Sequence, residues 1–299
     1  MLNRIIKIIT WGFFLLAVWI IAKEVKIVGW ENLIDLMIDT PLWVIGIAGV
    51  GIILNYIVLS GYDWLALDYI GKKLPYKKVL KAAGISFAFS NTTGHTYAAG
   101  GAIRYLFYTP WGIPDVAILK MILFETLTIL IGIAVSFIVA VFLSPLPDAG
   151  CDAIGIGIGI LLACYVVGII IPKKKIHIKK ILLSAPDIKI TIKQIIIGLM
   201  DNILLFLIFY TFLRYHINAP VIETFCIFII AQSIGYMAQV PGGLGVFEGS
   251  FLYLFPHESD QKSGILAALI LFRIFYYFLP FIIAIIYLGL HFMVQRKNH

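Results

Sequence analysis

The chain has 299 residues, of which 61% are hydrophobic and only 13% charged, with a mean hydropathy of +1.00. Such proportions do not fit a water-facing surface and define an integral membrane protein. They exclude a disordered chain, a secreted disulfide scaffold and a nucleic-acid binder, because the net charge of +7 comes from lysines flanking apolar runs.

Cys151, Cys164 and Cys226 are too few and too scattered for a disulfide framework or a thiolate metal site. The six histidines lie far apart, so the expectation is no metal and no cofactor.

In chain order, residues 6–22 form the first apolar run, behind Arg4 and Lys7. Ala22, Lys23 and Glu24 then offer no small-residue cleavage site, so the run reads as a retained signal anchor, and residues 1–41 as this span plus an outer interfacial segment. Further runs at 42–62, 116–143, 153–171, 194–213 and 265–293 complete about six full spans in a single membrane domain. Two apolar stretches are broken: 79–108 by the polar run Ser90 to His95 and by Gly100-Gly101, and 221–255 by Pro241-Gly242-Gly243.

Charge placement predicts how the broken stretches run, since cytoplasmic loops retain Lys and Arg. Lys72, Lys73, Lys77, Lys78 and Lys81 follow the second span. Lys173, Lys174, Lys175, Lys179, Lys180, Lys189 and Lys193 follow the fourth. With Arg4, Lys7, Arg296 and Lys297 these are most of the 23 basic residues, and all lie inside if both termini are cytoplasmic. Residues 144–193 then comprise the fourth span and a basic cytoplasmic segment. Lys81 and Asp115 fall on one side, Arg214 and Lys262 on the other, so each broken stretch must enter the membrane and turn back. The expectation is an all-α polytopic protein with two re-entrant broken-helix hairpins, 79–112 and 221–260, inside repeat halves 42–143 and 194–299 of inverted topology.

Glycine breaks at membrane depth leave peptide groups that acyl chains cannot satisfy, so they are expected to face protein or a wet cavity. In the stretch from Pro241 to Glu248, proline ends one half-helix, Gly242, Gly243 and Gly245 permit a tight turn, and a new helix starts near Leu244. Its amide end favours an anion such as phosphate. Glu248 reads either as the cap of that helix or as a competitor for the anion.

Gly100, Gly101 and Arg104 are the matching chemistry of the first hairpin. A guanidinium at a helix centre costs roughly 2.5–3.5 kcal/mol on insertion scales, a cost lowered by snorkelling, a carboxylate or a bound anion. Glu125, Arg273 and Asp201 are also embedded, and Asp63 closes the second span. Glu125 is expected to pair with Arg104 or Arg273, either as a structural ion pair or in a polar groove whose cations hold a headgroup while its acids balance charge or carry protons. Asn202, Gln232 and Gln239 extend the lining or join helices.

Three motifs in order resemble the membrane domain of lysylphosphatidylglycerol synthases: the run Gly100 to Tyr108 (GGAIRYLFY) followed by Gly112-Ile113, the run Val240 to Gly249 (VPGGLGVFEG), and the run Arg273 to Pro280 (RIFYYFLP). The resemblance covers essentially the whole chain. It implies a lipid-flipping role and functional positions at Arg104, Glu248 and Arg273, and more loosely at Asp63 and Glu125. Leu106 stands where family members often carry a second basic residue, which weakens any inference about the headgroup. The chain ends at His299 just after its last apolar run, so the expectation is a stand-alone member without the soluble aminoacyl-transfer domain.

The favoured function is translocation of an anionic or aminoacylated phospholipid or lipid-linked headgroup. The substrate site is assigned to Arg104, Arg273, Gly100, Gly101, Pro241, Gly242, Gly243, Gly245 and Glu248, and charge balance or proton coupling to Asp63, Glu125 and Asp201. Two alternatives stay open: a membrane-embedded transferase acting on a polyprenyl-phosphate or phospholipid, and a non-transporting partner protein. A homo-oligomer fits the sequence, and the expected partner is membrane lipid rather than nucleic acid.

Overall fold

A computed structural model of the protein describes residues 30–93, 99–143, 176–178, 181–183, 186–238, 240–258 and 261–297. The expected first and fourth spans, together with Gly94, His95 and Gln239, lie outside these residues.

The described elements are overwhelmingly helical. A short α1 (Trp30–Ile38) precedes α2 (Leu42–Tyr69), α3 (Tyr76–Thr93), α4 (Gly101–Tyr108) and α5 (Asp115–Leu143). A small antiparallel ribbon, β1 (Ile176–Ile178) with β2 (Ile181–Leu183), lies in the basic segment, which the all-α expectation did not include. Then come α6 (Ile188–His216), α7 (Val221–Ala238), a 3-10 turn (Pro241–Gly243), α8 (Val246–Leu254) and α9 (Lys262–Phe272). A π-helical turn (Arg273–Phe278) leads without interruption into α10 (Leu279–Lys297).

Pro41, Pro75, Pro114 and Pro220 stand immediately before α2, α3, α5 and α7, where a missing N–H costs nothing and a preset φ favours the first turn. Once started, α2, α5 and α6 meet no breaker for 28 or 29 residues, about 42 Å at 1.5 Å per residue. That exceeds a hydrocarbon core of about 30 Å, so each is long enough to cross with tilt or to project beyond it. Five described helices are apolar and long enough to span: 42–69, 115–143, 188–216, 221–238 and 262–293. Four of them match expected spans, with longer ends. The fifth is α7, which the sequence reading treats as one limb of a hairpin.

The order of lengths recurs. Helices α2 to α5 have 28, 18, 8 and 29 residues; α6 to α8 have 29, 18 and 9, followed by the continuous stretch from Lys262.

Three long helices form the central frame: α6 packs along α2 and α5. At the α5–α6 crossing, a Cβ on Gly132 would lie 2.6 Å from the Gly198 Cα, so the two backbones touch. Beside it, Gln194 Nε2 donates to Thr128 Oγ1 at 2.8 Å. The second half is packed by clustered phenylalanines, Phe209, Phe228, Phe247, Phe251 and Phe272 among them, with Phe209 stacked on Phe228 and edge-to-face with Phe251 and Phe272. Outward faces stay apolar, with Ile47, Val50 and Ile53 on α2 and Ile282, Ile283 and Ile286 on α10 all exposed. A helix apolar on every side is the form required between protein and acyl chains.

Candidate functional site

The first break holds a buried three-residue charge cluster. Arg104, on α4, is fully buried. Its Nη2 lies 2.6 Å from Asp63 Oδ1 on α2 and 2.8 Å from Glu125 Oε2 on α5, and its Nε donates to both Asp63 oxygens at 3.2 Å. The Tyr108 hydroxyl donates to Asp63 Oδ2 at 2.7 Å, and the guanidinium stands 4.8 Å from the centre of the Phe87 ring. Of the two partners open to Glu125, the structure selects Arg104. Two carboxylates thus face one guanidinium, and Arg104 Nη1 and Glu125 Oε1 have no hydrogen-bond partner among the described residues. Gly100 lets α4 come this close: a Cβ there would lie 1.9 Å from Ser90 Oγ and 3.1 Å from Arg104 Nη1.

At the second break the chain satisfies its own irregular backbone. Gly242, Gly243 and Gly245 all have positive φ, the region glycine enters without steric cost. Helix α8 begins at Val246, two residues later than expected, and its capping N–H, on Gly245, donates to Glu248 Oε2 at 2.6 Å. This is the glutamate half of a capping box; glycine has no side chain to complete the other half. The other oxygen, Oε1, accepts from Arg273 Nε, while Arg273 Nη1 donates to the Gly242 carbonyl and Nη2 to that of Gly243 at 3.4 Å. The helix-start amide assigned to an external anion is therefore taken by Glu248, the capping alternative. The Arg273 guanidinium lies 4.4 Å from the centre of the Tyr277 ring, supported by the π-helical turn.

The two breaks meet. A Cβ on Gly242 would come within 3.2 Å of the carbonyl oxygens of Asn91 and Thr92, at the end of α3, and the Thr92 hydroxyl is 3.3 Å from the Tyr277 carbonyl. Beside this junction lies a cavity of about 60 Å³, room for a few waters. Phe87 and Tyr277, the aromatic neighbours of Arg104 and Arg273, both line it, as do Asn91, Asp201, Asn202 and Gln232. Neither guanidinium is part of the lining. The two arginines belong to separate clusters, Arg104 with Asp63 and Glu125 and Arg273 with Glu248.

Asp201 pairs with no arginine among the described residues. Its oxygens accept from Asn55 Nδ2 at 2.8 Å and the Tyr62 hydroxyl at 2.9 Å, and the Asn55 oxygen accepts from Tyr276 at 2.7 Å. The sequence reading missed Asn55, Tyr62, Phe87, Tyr108 and Tyr276. Asn55 carried a usable signal, a single amide inside an apolar span; the aromatic residues are indistinguishable in sequence from packing side chains. Gly101, also assigned to the site, lies against α5: a Cβ there would meet the Ile122 side chain at 3.2 Å.

Several long apolar helices around buried ion pairs define a helical multi-pass membrane protein. A family model described as the lysylphosphatidylglycerol synthase TM region matches residues 5–284, and the chain belongs to that family. It is 30% identical over 297 residues to uncharacterized protein slr0712 of Synechocystis sp., covering 95% of this chain and 91% of that protein. It is 27% identical over 290 residues to inner membrane protein YbhN of Escherichia coli, covering 94% and 90%. Similarity to the phosphatidylglycerol lysyltransferase of Bacillus subtilis is 25% identity over 240 residues, 77% of this chain but 27% of that larger protein.

Proposed function

We propose that the protein is a lipid translocase that moves an anionic or aminoacylated phospholipid, or a lipid-linked headgroup, between leaflets. The observation that carries this reading is the meeting of two glycine-broken segments, each with a buried ion pair, beside a polar cavity walled by long apolar helices. Broken helices that converge on a shared site are the binding architecture of many secondary transporters. The recurring element lengths fit two halves of inverted topology, with about six spans, two re-entrant hairpins and both termini in the cytoplasm of a cell whose inner membrane holds the protein. The lysyltransferase named among the relatives makes phosphatidylglycerol and its lysyl ester natural first substrates to try.

In this mechanism the closed conformation keeps both arginines on internal carboxylates. Separation of Arg273 from Glu248 releases a guanidinium, two loop carbonyls and the Gly245 amide together, a set able to receive a phosphate and a neighbouring hydroxyl or amine. The headgroup replaces the internal carboxylate while the tails remain among the exposed isoleucines. Arg104 at the other break does the same with Asp63 and Glu125, and exchange between the clusters changes the leaflet.

The test is reconstitution into liposomes with fluorescent phosphatidylglycerol and an aminoacylated analogue. Wild type is expected to accelerate movement between leaflets, with Glu248→Gln and Arg104→Ala at least tenfold slower while still eluting as folded protein. Background rates from wild type across anionic, zwitterionic and aminoacylated lipids would refute translocation.

A further inference from the structure

We propose that the cavity beside Asp201 binds a small monovalent cation, a proton or sodium, with Asp201 as its charge partner, and that its occupancy is coupled to opening of the Arg273–Glu248 pair. The coupling rests on the translocation reading; the binding site does not.

Four carboxylates and two guanidiniums are placed in the described segments around the two breaks: Asp63, Glu125, Asp201 and Glu248 against Arg104 and Arg273. Glu248 and Arg273 balance each other, and Asp63 and Glu125 share Arg104. Among the described residues the side-chain donors to Asp201 are neutral, Asn55 and Tyr62. A carboxylate removed from water without a cation is costly, and such residues inside membrane segments commonly serve ion and proton pathways.

The hydrogen-bond order around Asp201 runs one way. Tyr276 donates to Asn55 Oδ1, which turns the Asn55 NH2 toward Asp201, and Tyr62 donates to the other carboxylate oxygen. Each oxygen has spare lone pairs. The buried Gln232 Oε1 has no hydrogen-bond partner among the described residues, and Gln232, Asn91 and Asn202 all line the cavity. A space of about 60 Å³ with a carboxylate and three amide side chains in an otherwise apolar and tyrosine wall suits a bare or partly hydrated cation and is far too small for a headgroup.

The other titratable groups lining the space are tyrosines, Tyr236 from α7 and Tyr276 and Tyr277 from the π-helical turn, while Tyr62 from α2 reaches Asp201 itself. Helix α3 presents Phe87 and Asn91, and α5 presents Ile129 and Ile133, none of them ionisable. Arg273 is the nearest link to the second break, because the Tyr277 ring beneath its guanidinium also walls the cavity. Filling or emptying the cavity therefore acts on the turn that carries Arg273.

Binding is tested on purified protein in detergent. Sodium chloride is titrated against potassium chloride at constant ionic strength while Tm is followed, and pH is titrated while the carboxylic-acid C=O band is followed by infrared difference spectroscopy. The expected result is a sodium-specific rise in Tm or a titrating carboxyl band, lost in Asp201→Asn. Neither signal in wild type, or a signal unchanged in Asp201→Asn, overturns the site.

Should Asp201→Asn fail to fold, two milder variants decide. Gln232→Leu is expected to weaken a sodium effect severalfold, and Tyr62→Phe to move the midpoint of a carboxyl band; no change in either overturns the assignment. In proteoliposomes, a gradient of the cation so identified is expected to change lipid movement severalfold in wild type and not in Asp201→Asn. Lipid movement indifferent to the gradient overturns the coupling and leaves translocation standing. Cation binding without lipid movement refutes translocation, and the coupling with it, and leaves the site.

Discussion

Arg273 and Glu248 hold the second helix break from both sides: the arginine covers the carbonyls of Gly242 and Gly243, and the glutamate joins that guanidinium to the Gly245 amide. Because each residue satisfies groups the other cannot, their removal is not independent. Arg273→Gln and Glu248→Gln are each expected to destabilise the protein by about 3–5 kcal/mol, the usual cost of stranding one member of a buried pair. The double variant should fall short of the sum by roughly 1–3 kcal/mol. Unfolding of the four proteins in mixed micelles gives the cycle; additive losses would mean that the two side chains act separately.

The Asp63–Arg104–Glu125 cluster is uneven, which predicts a ranking. Asp63 accepts from Nε and Nη2 of the guanidinium and from Tyr108, whereas Glu125 makes one contact and leaves Oε1 without a partner among the described residues. Glu125→Gln removes one of two carboxylates facing a single cation, so its cost should stay near 1 kcal/mol. Asp63→Asn should cost about 3 kcal/mol or more, and Arg104→Leu at least as much, because it leaves two buried carboxylates together. Thermal and denaturant unfolding in one detergent would show the order; Glu125→Gln as damaging as Asp63→Asn would contradict it.

Two glycines set the distance between α5 and α6. Gly132→Ala and Gly198→Ala each place a methyl group into the opposing backbone, at 2.6 and 2.5 Å, where no side-chain rotation relieves the clash. Each should destabilise by about 1–3 kcal/mol. Gly49→Ala, on a face with nothing within 4 Å, should be neutral or slightly stabilising. Equal effects at Gly49 and Gly132 would argue against the close crossing.

The proposed inverted topology has a labelling signature. In a background with Cys151, Cys164 and Cys226 replaced, single cysteines at Lys72 and Trp111 should react with a membrane-impermeant maleimide from the cytoplasmic face, and at Asn218 and His257 from the opposite face. Spheroplasts and inverted vesicles distinguish the two. Lys72 and Trp111 reacting from different sides would make the first broken segment a net crossing.

Much of this protein was legible in sequence because a bilayer imposes simple rules on composition. Runs of about 20 apolar residues marked four of the five described helices able to span, and glycine and proline marked both breaks, since those residues alone change what the backbone can do. Arg104, Glu125, Glu248 and Arg273 stood out for the same reason: a charge in an apolar run needs a partner. Family membership followed from the motifs those residues form.

Sequence could not say which partner each charge takes. Asp63 and Arg104 are 41 positions apart, and Tyr276 reaches Asn55 across 221; such pairs exist only after helices cross. Tertiary packing alone decided that Glu125 belongs to Arg104, that Glu248 caps its own helix, and that Asp201 faces a cavity with neutral donors. The physical reason is that apolar periodicity nearly vanishes in helices surrounded by acyl chains and other helices, so which face turns inward is left to backbone contacts such as Gly132 against Gly198.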